Sequence, residues 1–87
     1  DLSFSIKNFK EFDRFKEYIL EFKHDLLKEV YIFDYFNNEK NGEIKIGFRF
    51  VFQSSDSTIT ESQVNDIIDV IIKHIEEIDG ITIPGLN

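Results

Sequence analysis

The chain has no cysteine, methionine or tryptophan, and only one proline and four glycines among its 87 residues. Without cysteine there is no disulfide framework, no thiolate metal site and no thiol nucleophile, a usage that suits a reducing compartment. No methionine stands even at the start, so the expectation is a processed chain or a domain taken from a longer polypeptide. No apolar run approaches the roughly 20 residues that cross a bilayer, and no basic segment leads into an apolar one, so neither a membrane span nor a secretion signal is expected. Bases are in short supply: 10 Lys+Arg stand against 17 Asp+Glu, a formal charge of -7. What the sequence has in abundance is phenylalanine, ten of them, within a hydrophobic fraction of 41%. That is enough apolar mass for one small core, so a single domain over residues 1–87 is expected and disorder is not.

Periodicity places the elements. Leu2, Phe4 and Ile6 alternate with Ser3, Ser5 and Lys7, the period of a strand with one buried face. From Asn8 the spacing changes to three and four, through Phe9, Phe12, Phe15, Ile19 and Phe22. Charged residues hold the opposite side, which predicts an amphipathic helix over about 9–23. Residues 24–29 return the chain without a clear conformational signal. Val30 to Phe36, dense in β-branched and aromatic residues, reads as a second strand. The cluster from Asn37 to Gly42 ends in Asn41-Gly42, a pair that tolerates positive φ, and predicts an antiparallel hairpin. The third strand then alternates Ile44, Ile46, Phe48, Phe50 and Phe52 with Glu43, Lys45, Gly47, Arg49, Val51 and Gln53. Ser54 to Thr58 is a polar loop. Thr60 and Gln63 form a capping box at the start of a second helix, with Ile59 and Val64 as its staple. Val64, Ile67, Ile68, Ile71, Ile75 and Ile78 make the buried stripe, Asp79-Gly80 the stop, Ile81 and Ile83 a last strand, and Pro84-Gly85 its end.

The order is therefore β-α-β-β-α-β. Two helices with one apolar stripe each cover a single face of a four-stranded antiparallel sheet, and right-handed crossovers put them on the same side. The first and third strands are central, and the other face is left open. It carries Ser3, Ser5 and Lys7 beside Lys45, Gly47, Arg49 and Val51. Strict alternation in the second strand sends Asp34 and Phe36 to one face, Phe33 and Tyr35 to the other. A lone buried carboxylate is costly, so Asp34 and Phe36 are assigned to the open face. The same parity exposes Val30 and Ile32 unless a bulge intervenes.

Self-contained catalysis is not supported. Small domains of this order include acyl phosphate hydrolases with a glycine-rich, arginine-bearing phosphate loop, but neither residue type occurs between Phe4 and Phe12. The Gly-x-x-x-x-Gly-Lys, Gly-x-Gly-x-x-Gly and Gly-x-Ser-x-Gly motifs are missing too. His24 and His74 lie fifty residues apart with no Asp/Glu/His constellation that spacing alone recommends as a metal or catalytic site, and read as a loop residue and a helix-surface residue. Charge is unevenly spread. From Glu61 to Asp79 six acids face one base, whereas from Lys40 to Gln53 three bases face one acid. A helix layer also separates the acids from a ligand on the open face, a distance comparable with the screening length of about 8 Å in physiological salt. A ring, a carboxylate and cations on one face can stack a base, accept base N–H groups and meet phosphates, the requirements of single-stranded RNA.

Three motifs carry a family resemblance. Phe33-Asp34-Tyr35-Phe36, then Gly47-Phe48-Arg49-Phe50-Val51-Phe52-Gln53-Ser54, then Asp56-Ser57-Thr58-Ile59-Thr60-Glu61 followed by Val64, resemble the ferredoxin-fold anticodon-binding domain. That domain ends the β chain of bacterial phenylalanyl-tRNA synthetase, and a similar one ends the single-chain organellar enzyme. The resemblance implies an α+β ferredoxin-like sandwich, open on one face. Its implied partners are the anticodon stem-loop of tRNA-Phe, the remaining domains of the β subunit and the α subunit, with no membrane and no DNA. The implied location is cytoplasmic. No cofactor is expected in this domain, which is itself non-catalytic; ATP and magnesium belong to the catalytic domains of the parent ligase.

The tRNA-binding positions implied are Asp34, Phe36, Lys45, Gly47 and Arg49, with Ser3, Ser5 and Lys7 as further open-face positions. Departures from the family pattern have consequences. Phe36 replaces a tyrosine, which keeps stacking and loses a hydroxyl. Ile44-Lys45 replaces a Lys-Ser pair, so a lysine stands where a serine contact is usual. Within the third motif Ser57 replaces the Arg/Lys that precedes Thr-Leu-Thr in the family, while Thr60 keeps the helix cap. Two alternatives share the element order. An RNA-recognition-motif protein would use aromatics of the third strand, but Phe48, Phe50 and Phe52 share parity with Ile44 and Ile46, and exposing them exposes the whole apolar row. A protein-interaction module would show a more apolar open face.

Overall fold

A computed structural model describes residues 1–54 and 57–84. Asp56 of the third motif and Gly85 of the closing Pro-Gly pair lie outside the described residues. The elements are β1 (Leu2–Ile6), a 3-10 turn (Phe9–Glu11), α1 (Phe12–Leu20), β2 (Leu27–Asn38), β3 (Glu43–Phe52), α2 (Glu61–Glu76) and β4 (Ile81–Thr82). The strands form one antiparallel sheet in the order β2-β3-β1-β4, with β1 and β3 central as expected.

The core lies between the sheet and the two helices. Phe4 and Ile6 of β1, Ile44, Ile46, Phe48 and Phe50 of β3, Phe15 and Ile19 of α1, and Ile71 and Ile75 of α2 are one buried cluster, so both helices cover the same face. Its centre is aromatic: the rings of Phe4, Phe15 and Phe48 meet pairwise edge-to-face at centroid distances of 5.0, 5.9 and 5.8 Å, the arrangement in which a positive ring edge meets a negative face.

Several boundaries differ from the sequence reading; among them, β2 runs on to Asn38 and β4 stops at Thr82. The first helix begins as a 3-10 turn; Asn8 before it makes no side-chain cap, and its Nδ2 donates to the Asp79 carbonyl at 3.1 Å. The same helix ends at Leu20, where Glu21 leaves helical geometry (φ -97°, ψ 0°). The unassigned segment is a tight return: His24 Nδ1 accepts from the Leu26 amide at 3.0 Å and the Leu27 amide donates to the His24 carbonyl at 3.0 Å. β2 then starts at Leu27, three residues earlier than its β-propensity suggests, because Gln53 N–H reaches Leu26 and extends the ladder. At the other end α2 stops at Glu76, but Ile78 N–H bonds the Ile75 carbonyl at 2.9 Å, and this last turn keeps Ile78 against the core.

The capping box is formed as expected, with Gln63 N–H donating to Thr60 Oγ1 at 3.1 Å and Thr60 N–H to Gln63 Oε1 at 2.9 Å. In the hairpin only Gly42 takes a positive φ, +62°, within a turn over residues 39–42. Gly80 takes φ +84° where α2 hands over to β4, and its carbonyl accepts from Lys7 N–H at 2.7 Å. A side chain at Gly80 would meet Asn8 Cβ at 2.6 Å and Asn8 N at 3.1 Å, so both conformation and space require glycine there.

Candidate nucleic-acid interface

The face of the sheet away from the helices is set by register. Residues opposed across a ladder share a face. Lys45 of β3 stands between Ser5 of β1 and Phe36 of β2, Gly47 between Ser3 and Asp34, and Arg49 opposite Tyr31. Three of these rows therefore bring together the ring, the carboxylate and the two β3 cations that the sequence assigns to the open side. Asp34, Phe36, Lys45 and Arg49 are all exposed, Phe36 with more than half its surface in solvent (57%).

One residue makes this arrangement possible. The pairing of β2 with β3 slips between Ile32 and Asp34, so that Phe33 is an extra residue in the ladder. Before the bulge Val30 opposes Phe50 and Ile32 opposes Phe48, on the helix side; after it Asp34 opposes Gly47 on the open side. Val30 and Ile32 thus turn to the helix side, where Val30 is half-buried and Ile32, at the sheet edge, stays partly exposed.

Phe33 is the correction. Alternation sends it to the helix side with Tyr35, whereas the bulge turns its ring onto the open face, over Gly47. A Cβ on Gly47 would lie 2.8 Å from Phe33 Cε1 and 2.9 Å from Cζ. Tyr35 does face the helices, with its ring 6.4 Å from that of Phe12. The parity conflict among Val30, Ile32 and Asp34 was a signal for a bulge; nothing in it said that the extra residue would be the phenylalanine.

The remaining positions are less equal than the sequence suggests. Gly47 is buried beneath the Phe33 ring and serves as its floor. Ser5 is buried and its Oγ donates to Glu43 Oε2, so its hydroxyl is already occupied. Ser3 and Lys7 are exposed. Lys7 and Lys45, with Thr82 of β4, border a shallow concavity of about 330 Å³ at the β4 side of the face. Arg49 forms a two-pronged ion pair with Asp1, Nε to Oδ1 at 3.0 Å and Nη2 to Oδ2 at 3.1 Å, and its guanidinium carbon is 4.9 Å from the Phe33 ring centre. Tyr31, Phe33 and Asp1 are thus open-face residues that the sequence reading did not include. The face is more aromatic than expected and remains polar at its β1 side.

The helix side has a different chemistry. His74 of α2 stacks on Tyr18 of α1 with ring centres 3.8 Å apart and planes 17° from parallel, and burial raises the Tyr18 phenol above its ordinary range. His24 is the exposed loop residue expected. Among the described residues no three His, Asp or Glu side chains come together as a metal site. The concavity between the helix ends, about 340 Å³, is bordered by Glu11, Glu77 and Asp79 along with Arg14 and His74, a poor setting for a polyanion. No helix among the described residues is long and apolar enough to cross a membrane. Phe48 and Phe50 are buried, so β3 offers no stacking rings of the RNA-recognition-motif kind.

A four-stranded antiparallel sheet with one helix layer and a bare face bearing rings and cations defines an α+β domain of the ferredoxin-like class. The ferredoxin-fold anticodon binding domain family matches residues 1–83, and the chain belongs to that family. A chloroplastic/mitochondrial phenylalanine–tRNA ligase of Arabidopsis thaliana is 34% identical over 67 residues, which are 77% of this chain and 16% of that protein. The chain therefore corresponds to a small part of that relative's length.

Proposed function

We propose that the open face of this domain holds the anticodon end of tRNA-Phe, as a non-catalytic part of a phenylalanyl-tRNA synthetase. The observation that supports it is the joint placement of Asp34, Phe36 and Lys45: the bulge at Phe33 sets acid and ring on the open side, and Lys45 directly opposes Phe36. In this reading Phe36 stacks an unpaired base, Asp34 accepts from base N–H groups, and Lys45 and Arg49 meet backbone phosphates. Lys7 and Ser3 extend the track toward β4 and β1. The acids of α2 are on the far side of the sheet and are partly screened from the strand.

The domain supplies position rather than chemistry. ATP and magnesium act in the catalytic domains of the parent ligase, here read as a β subunit working with an α subunit in the cytoplasm. Holding the anticodon end raises the effective concentration of the distant acceptor end at those domains.

The test is titration of a tRNA-Phe anticodon stem-loop, run on this domain and on the full subunit. Phe36→Ala should cost about 1–3 kcal/mol of binding if the ring stacks a base. Being exposed, the same change should leave the urea midpoint nearly unmoved. Lys45→Ala should weaken binding to all sequences alike and reduce the slope of log K against log salt by about one. Wild-type affinity in Phe36→Ala removes the stacking role.

A further inference from the structure

Arg49 is already engaged on the open face. Its guanidinium lies over the Phe33 ring, the ring lies over Gly47, and the Nε and Nη2 edge of the guanidinium donates to both carboxylate oxygens of Asp1. Glycine, ring and guanidinium follow one another in that order, and the ion pair with Asp1 holds the fork there. Such a fork fits the paired oxygens of a carboxylate or of a phosphate in the same way. The two charged side chains are each close to half exposed, at 46% and 43%, so the pair is reachable from solvent and weak enough to exchange.

We propose that Arg49, set on Phe33, is a preformed seat for a phosphate group, and that Asp1 is its place-holder, displaced when the phosphate arrives. That the phosphate belongs to an RNA strand rests on the tRNA reading above; the seat itself does not. The arrangement favours a strand over a single anion. A strand holds on through Lys45 and Phe36 while it displaces Asp1, whereas a free anion must displace it alone. Phe33 and Gly47 act here as positioning residues, through Arg49.

The experiment is Asp1→Asn, which keeps the side chain's size and removes its charge. The variant should bind the anticodon stem-loop roughly twofold to fivefold tighter at low salt, the gain expected from losing an exposed competing ion pair. The gap should close as salt rises. In an Arg49→Ala background the same substitution should have no effect, which separates a local role from a change in net charge. Unchanged or weaker binding by Asp1→Asn, or a gain that persists without Arg49, overturns the proposal.

A second arm uses inorganic phosphate and the NMR signal of the Arg49 Nε–H, which should respond at lower phosphate concentration in Asp1→Asn than in wild type. A phosphate response with no stem-loop binding by any form upholds the seat and rejects the tRNA source. Stem-loop binding identical in wild type and Asp1→Asn upholds the tRNA reading and rejects the place-holder.

Discussion

β2 and β3 are neighbours along almost their whole length, yet they solve opposite problems. β3 keeps strict alternation, and every second side chain from Ile44 to Phe50 is buried. β2 breaks alternation at Phe33, and its residues from Tyr31 to Phe36 all remain exposed to a substantial degree. The unbroken strand builds the core; the broken one builds the face. A bulge bends a strand and re-aims side chains without disturbing its partner's pattern, so one inserted residue can create a binding surface while the core stays intact.

Two substitutions and one deletion probe that contrast, beginning with the most damaging. Phe48 is fully buried among Phe4 and Phe15, so Phe48→Ala should cost about 3–5 kcal/mol. That approaches the entire stability of a domain this size, and urea unfolding should show a partly or wholly unfolded population. Ile32 directly opposes Phe48 on the same face but is 38% exposed at the sheet edge, so Ile32→Ala should cost only about 1 kcal/mol. Equal losses at the two positions would mean that the strands do not divide the work as described.

Deletion of Phe33 should have the smallest effect on stability. Ile32 would then precede Asp34 in regular alternation, keeping Ile32 on the helix side and Asp34 and Phe36 on the open side. A change in urea midpoint equivalent to less than about 1 kcal/mol is expected, with the cross-strand NOEs of Asp34 to Gly47 and Phe36 to Lys45 retained. Stem-loop affinity should fall, since Arg49 loses the ring beneath it. Loss of those NOEs would show that the strand cannot re-pair with β3 once the extra residue is removed.

Much of the fold was legible because it rests on local pattern. The alternation of β3, the three-and-four spacing of Phe12, Phe15 and Ile19, and the Thr60–Gln63 capping box each declare an element within a few residues. The strand order followed from two helical stripes and crossover handedness. Of the site, the faces of Asp34, Phe36, Lys45 and Arg49 could be read, because a carboxylate resists burial and β3 has one register. What escaped depends on partners distant in sequence. Asp1 and Arg49 are 48 positions apart and meet only because β1 lies against β3. Asn8 donates to the Asp79 carbonyl 71 positions away, a contact that exists only because the start of the first helix and the end of the second lie side by side.

The two glycines with positive φ face different futures as the sequence drifts. Nothing lies within 4 Å of where a side chain would sit at Gly42, so only backbone preference resists replacement, and asparagine or aspartate could succeed it. At Gly80 the backbone of Asn8 fills that space as well, and no other residue can inherit the position without parting the two chain crossings. Descendants of this domain should therefore vary freely at the hairpin tip while holding the small junction before β4 invariant.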